Sequence, residues 1–233
     1  MTALPISEVF GPTLQGEGPY AGRVSWFVRL GGCNLSCSWC DTPYTWDGSR
    51  FNLRGEISMT PVADVLAMLP ENCLVVLTGG EPMMHQGRPA WQEFVAALHE
   101  RGCTIQVETN GTILPNDFAR THIDLFVVSP KLPNAGPHRG NQDPAPADGW
   151  TEIARSGRAH LKVVCETAGD VTAAADLGRR LGWPPRQVWA MPEGVTTAVL
   201  GERWPVIASA AADHDINATH RLHVLAWQDR RGH

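Results

Sequence analysis

Short apolar runs recur along the chain and are separated by amphipathic or turn-rich stretches. Strands are predicted at 24–30, 74–78, 104–108, 125–129, 160–165 and 187–191, where β-branched and apolar residues cluster. Between them, 89–101 sets Trp91, Phe94, Val95 and Leu98 on one helical face. A second helix is predicted from Thr60-Pro61 through 69, with threonine as cap and proline in the first turn, and a third near 171–181. Strands that alternate with helices imply a parallel sheet with helical crossovers, an α/β fold. In such sheets the functional loops gather at the carboxyl ends of the strands.

The remaining stretches are less regular. Residues 6–22 begin apolar and turn rich in Gly and Pro, which reads either as a surface turn leading into the first strand or as backbone that approaches a ligand closely. Residues 44–56 are polar and turn-rich. At about 132–157, Pro133, Pro137, Pro144 and Pro146 interrupt the pattern with no helical period, as in a lid, a partner surface or a disordered insertion. A helical stretch broken at Trp204-Pro205 leads to a last predicted strand at 221–226 that contains His223, a residue either packed or functional. No repeat or boundary divides the chain, so residues 1–233 are expected to form a single domain.

Composition narrows the function classes. With 233 residues, 43% of them hydrophobic, the chain can bury one sizeable core. A net charge of −5 with no basic run argues against a nucleic-acid surface. No apolar stretch is long enough to span a membrane, and the N-terminus lacks the pattern of a secretion signal, so a cytoplasmic location is expected.

The chemistry is concentrated at 31–42. Cys33, Cys37 and Cys40 follow a strand in the spacing C-x3-C-x2-C, which supplies three thiolates to one metal centre. A [4Fe-4S] cluster held this way keeps one iron open to a small molecule, whereas a structural zinc site would need a distant fourth ligand. From the cysteines alone both remain open. Cys73, Cys103 and Cys165 lie in or beside apolar runs and read as buried thiols. Arg29, a charge inside an apolar strand, either reaches solvent or meets an anion.

With Trp39 before the third cysteine and Leu77-Thr78-Gly79-Gly80-Glu81-Pro82 after the next strand, the chain resembles the radical S-adenosylmethionine (SAM) superfamily. Leu14-Gln15-Gly16-Glu17-Gly18, Cys40-Asp41-Thr42, Ser129-Pro130-Lys131 and the segment around His223 further resemble the 7-carboxy-7-deazaguanine synthase family, over nearly the whole chain. The resemblance implies an abbreviated, partly open (β/α)6 radical SAM barrel with an N-terminal cap loop and a C-terminal strand. It implies ring contraction of 6-carboxy-5,6,7,8-tetrahydropterin to 7-carboxy-7-deazaguanine, with loss of ammonia, on the route to deazapurines such as queuosine. The implied cofactors are SAM, [4Fe-4S] and Mg²⁺; the implied partners are an electron donor such as flavodoxin or ferredoxin and a second copy in a homodimer. By the same match Cys33, Cys37 and Cys40 hold the cluster, and Trp39, Gly80, Glu81, Ser129, Lys131, Met191, Pro192, Glu193 and Gly194 form the SAM site. Leu14, Gln15, Gly16, Arg29, Thr78 and His223 hold the pterin, and Thr42 binds Mg²⁺. Met191 stands where members often carry glutamine, and the chain runs on beyond His223. No Ser-His-Asp or Cys-His signature points to a protein nucleophile or acid–base group. Competing readings are a radical SAM activase acting on a partner protein, and a non-enzymatic iron-sulfur or zinc-binding structural protein.

Overall fold

Runs of Val, Leu and Ile form strands without polar alternation where both faces of a parallel sheet are covered. In the computed structural model, which describes residues 2–232, the first half of the chain forms β1 (Ala3–Leu14), β2 (Val24–Leu30), α1 (Leu53–Glu56), β3 (Ser58–Pro61), α2 (Val62–Ala67), β4 (Leu74–Gly79) and α3 (Pro89–Glu100). The second half forms β5 (Thr104–Thr109), α4 (Asp117–His122), β6 (Leu125–Val128), α5 (Trp150–Arg155), β7 (Ala159–Cys165), α6 (Ala168–Arg180), β8 (Val188–Pro192), α7 (Thr197–Asp213), β9 (Asn217–Ala218) and α8 (Leu222–Trp227). One sheet contains all the strands, in the order β3-β1-β2-β4-β5-β6-β7-β8-β9. β1 pairs antiparallel with β2 and β3, and every other pair is parallel. The parallel run β2, β4, β5, β6, β7, β8 is the six-stranded unit of the expected barrel. Its two ends do not meet, so the barrel is partly open.

The helices cover the sheet as their apolar faces require. Trp91, Phe94, Val95 and Leu98 of α3 are fully buried against it. Asn116 caps α4, and Thr167 with Asp170 forms a capping box on α6, satisfying backbone donors that a helix start leaves open.

Several predicted elements differ. Ser58, Thr60 and Pro61 belong to a strand rather than a helix start, because β1 offers an unpaired edge on which Leu4 pairs with Thr60 and Ala3 with Pro61. α2 therefore begins at Val62, with no side-chain cap. β1 runs through Gly11-Pro12 by register shifts between Ile6 and Glu8 and between Phe10 and Thr13, so most of the stretch that reads as a turn or a ligand-approaching backbone is a strand. α7 continues through Pro205, with Leu200 and Ile207 buried on either side of it. Residues 221–226 are not a strand: the last sheet position is taken by β9, and the segment after it turns helical, with Arg221 and Val224 buried. Within 132–157 the chain is ordered into two 3-10 turns and α5, whose Trp150 and Ile153 are buried in the core. Cys103 and Cys165 are buried as expected, whereas Cys73 is half-buried.

Candidate active site

At the carboxyl ends of the parallel strands lies a cavity of about 470 Å³. Arg29 of β2, Thr78 of β4, Glu108 of β5, Lys162 of β7 and Met191 of β8 face it, with Ser129 just beyond β6. Side chains far apart in sequence converge there because parallel strands all end on the same side.

The cysteine loop is fixed at its root by backbone alone. Gly80 N–H donates to Leu30 O at 3.0 Å, Glu81 N–H to Gly32 O at 2.8 Å, and Gly32 N–H to Thr45 O at 2.7 Å. These bonds draw the turn after β4 so close that a Cβ on Gly80 would lie 2.0 Å from Gly32 O. From this root, Cys33, Cys37 and Cys40 all reach the cavity, together with Trp39, Thr42 and Lys131. Lys131 Nζ donates to Ser129 Oγ at 3.0 Å and stands 5.4 Å from the Trp39 ring centre. Burial pushes the Cys33 thiol up to about 12 and raises the Cys37 thiol, against which Lys131 acts.

Glu81 does not face the cavity. Fully buried, its carboxylate accepts from Met83 N–H at 2.9 Å, Thr109 Oγ1 at 2.7 Å and Asn110 N–H at 2.6 Å. Its reach to a ligand is thus indirect: it ties the end of β4 to the end of β5. Glu81→Gln turns one acceptor into a donor facing an N–H or hydroxyl. The expected result is a stability loss of about 1–3 kcal/mol in chemical denaturation, with weakened SAM binding in a titration.

On the opposite wall, the 14–18 loop is docked by the end of the chain. Gly18 N–H donates to Thr219 Oγ1 at 2.9 Å, and Leu222 N–H to Gly16 O at 3.0 Å. Gly16 does not line the cavity; a Cβ there would sit 2.0 Å from His223 Nδ1, so its bareness makes room for the imidazole. Burial lowers the pKa of His223, so the ring facing the cavity is neutral near pH 7. Leu14 and Gln15 do line it, and Gln15 Nε2 donates to Glu108 at 3.1 Å. Thr78 Oγ1 donates to the other oxygen of Glu108 at 3.0 Å.

Beneath these groups runs an ionic network. Lys162 pairs with Glu17 and lies 3.9 Å from Glu108. Arg221 meets Glu17 at 2.9 Å, Asp41 through its second arm, and Gly194 O at 2.6 Å. Burial works against charge on Glu17, but Lys162 and Arg221 outweigh it and hold the carboxyl well below its usual range. Arg29 donates through Nε to Glu8 at 2.9 Å, and its terminal nitrogens carry no hydrogen bond to a described residue. A carboxylate can therefore still meet the guanidinium's outer edge. The segment after α8 returns to the rim, where Arg231 lies over the Tyr44 ring at 3.6 Å and pairs with Glu56 at 3.0 Å.

Of the residues expected at the site, Pro192 and Gly194 support the rim without lining the cavity, whereas Met191 and Glu193 line it. Sequence reasoning passed over Glu17, Asp41, Glu108, Lys162 and Arg221 as site residues. Lys162 carries the same signal as Arg29, a cation inside an apolar strand; Glu17 and Asp41 stand within motifs that carry the resemblance and Glu108 ends a predicted strand, whereas Arg221 announces itself only through partners distant in sequence.

The model of the Radical SAM superfamily matches residues 27–143. A 7-carboxy-7-deazaguanine synthase from Pyrobaculum aerophilum is 36% identical over 235 residues, covering 100% of both chains. The chain belongs to the 7-carboxy-7-deazaguanine synthase family. The family's Bacillus subtilis enzyme is 30% identical over 98% of each chain. The crystal structure of QueE from Escherichia coli superposes with a TM-score of 0.66 at 25% identity, covering 95% of each chain. As a radical SAM enzyme of the 7-carboxy-7-deazaguanine synthase family, the protein uses SAM and a [4Fe-4S] cluster.

The residues present fit that cluster. Three thiols from one loop face one cavity, which Gly79 and Gly80 also line. Among the described residues no three His, Cys, Asp or Glu side chains converge on a position for a single ion. That spacing is compatible with a cluster, whose cysteines each bind a different iron.

Proposed function

We propose that the protein converts 6-carboxy-5,6,7,8-tetrahydropterin to 7-carboxy-7-deazaguanine by a radical-initiated ring contraction with loss of ammonia. The observation that carries this reading is the sharing of one cavity by the three thiols and by the wall formed from Leu14, Gln15, Arg29, Thr78, Glu108 and His223. When bound, the cluster and SAM supply a carbon radical able to abstract hydrogen.

The chain's own groups bind, orient and exclude water. Cys33, Cys37 and Cys40 hold the cluster. Trp39, Gly80, Ser129, Lys131, Met191 and Glu193 surround SAM, with Glu81, Pro192 and Gly194 fixing the turns they stand on. Arg29 meets the substrate carboxylate with its outer guanidinium edge. Gln15, Thr78 and Glu108, already joined by hydrogen bonds, present fixed polar atoms to the flat ring, and neutral His223 offers a ring nitrogen beside them. This preorganisation keeps the reacting hydrogen within reach of the radical, where small displacements cost large factors in rate. The Thr42 hydroxyl faces the same space and suits Mg²⁺, a hard cation that takes few protein oxygens and completes its shell with substrate and water. The electron comes from a low-potential carrier such as a flavodoxin or ferredoxin.

The test is anaerobic. Reconstituted enzyme, reductant, SAM, Mg²⁺ and the pterin should yield the mass of 7-carboxy-7-deazaguanine, and Cys37→Ala should yield none. SAM cleavage with an unchanged pterin would overturn the substrate; omission of Mg²⁺ without effect would overturn the role of Thr42.

A further inference from the structure

Trp46 stands six residues beyond the last cysteine of the loop, and its indole N–H donates to Cys40 Sγ at 3.3 Å. Among the described residues this is the only side-chain N–H bonded to any of the three thiols; Cys33 Sγ accepts from the backbone N–H of Leu35 at 3.4 Å. On the Trp46 ring lies the Arg139 guanidinium, 4.7 Å from its centre. No described carboxylate pairs with Arg139, so its charge is not neutralised locally.

Both groups are held in place. Trp46 follows a 3-10 turn at Pro43–Thr45 that is tied back by Thr45 Oγ1 to Thr42 O at 2.8 Å, and by Gly32 N–H to Thr45 O at 2.7 Å. The segment carrying Arg139 grips the cysteine loop at three points: Ser38 N–H to Ala135 O at 2.9 Å, Ser36 N–H to His138 Nδ1 at 3.2 Å, and Arg139 N–H to Ser36 Oγ at 2.8 Å. A stretch that reads in sequence as an irregular insertion thus delivers a cation to a ring that touches a ligand sulfur.

We propose that Trp46, with Arg139 stacked on it, is a positioning residue that sets the reduction potential of the cluster through Cys40. The proposal rests on the reading of Cys40 as a cluster ligand. A hydrogen bond to a coordinating sulfur withdraws electron density and favours the more negative, reduced cluster, which raises its potential. A cation over the face of the indole draws density from the ring and makes its N–H the better donor. The pair thereby eases reduction of a cluster that must accept an electron before SAM can be cleaved.

The experiment is an EPR-monitored redox titration of the holoenzyme, wild type against Trp46→Phe and Arg139→Met. Phenylalanine keeps an aromatic face but has no N–H. The expected result is a shift of the midpoint potential to more negative values in Trp46→Phe, and a smaller shift in the same direction in Arg139→Met. An unchanged potential in Trp46→Phe at full iron content would overturn the proposal. Should Trp46→Phe fail to load, wild type grown with ¹⁵N-indole tryptophan decides the matter. Pulsed EPR of the reduced cluster is expected to show coupling to one ¹⁵N and its exchangeable proton; a loaded cluster without that coupling would overturn the proposal. A wild type that gives no cluster signal at all would instead strike the ligand assignment beneath it.

Discussion

Gly80→Ala is expected to lose cluster loading and SAM cleavage by at least about a hundredfold while keeping its sheet. The added Cβ would sit 2.0 Å from Gly32 O, 2.4 Å from Gly32 C and 2.9 Å from Cys33 N. All three are backbone atoms, so no side chain can rotate away to relieve the contact. The turn after β4 must instead separate from the root of the cysteine loop, which breaks the bonds from Gly80 N–H to Leu30 O and from Glu81 N–H to Gly32 O. A displacement of about 1 Å at a reacting centre costs on the order of a hundredfold in rate. Iron and sulfide content, SAM cleavage and far-ultraviolet circular dichroism measured together check this. Activity within tenfold of wild type would show that the close approach of the two turns is not needed. Gly79 is similarly confined, at φ 137° and with Leu30 O 2.1 Å from its Cβ position, but the insult there falls on strand pairing.

Arg221→Met should destabilise the protein by about 3 kcal/mol, because removing one partner from a buried ionic cluster leaves charges without compensation. Glu17 is the group chiefly exposed to this loss; Lys162 remains beside it, and Asp41 keeps 37% of its side-chain surface in solvent. Urea denaturation reads the effect directly. Its pH dependence carries a second signature. Glu17 is held below its ordinary 4.5, so its ionised form adds stability above that value, and the contribution is lost as the pH falls toward the folded-state value. Without Arg221 the folded-state value rises, so the stability difference between wild type and variant should be full at neutral pH and shrink as acid protonates Glu17 in both. A difference that stays constant from neutral pH down into the carboxylate range would show that Arg221 acts by packing rather than charge.

Much of this architecture can be read from local sequence, for a physical reason. β4 to β8 are short buried runs bounded by turn residues, and α3 shows its apolar face at helical spacing, so each carries its own signal. That Cys33, Cys37 and Cys40 share one cavity is legible in the sequence because their spacing confines them to one loop after a strand. Other features depend on what lies opposite. Thr60-Pro61 has the chemistry of a helix start, yet the free edge of β1 claims it for a strand. Pro205 lacks an N–H, but the packing of Leu200 and Ile207 carries α7 across it. Segment 221–226 has the apolar content of a strand, while β9 already fills the sheet edge and leaves Arg221 and His223 to turn toward the cavity. Glu17, Asp41 and Arg221 are ordinary charged residues until the fold brings them together.

That last property bears on how the protein matures during synthesis. The cysteine loop spans only eight positions, and the strands that root it are complete by Gly80, so its root can form early, before Ala135, His138 and Arg139 arrive to grip the loop itself. The substrate wall is not. Glu17 waits for Lys162, 145 residues later, and for Arg221, 204 residues later, while Asp41 waits 180 residues for the same arginine. Contacts of such separation are the slowest to form in a folding chain. A polypeptide whose 219–223 segment has not yet folded would carry the cysteine loop beside a half-built chamber in which Glu17 has only Lys162 and Asp41 lacks its arginine. Completion of the chamber is thus tied to the segment that carries Thr219, Arg221 and His223, which must fold back onto the 14–18 loop before the cavity has its full wall.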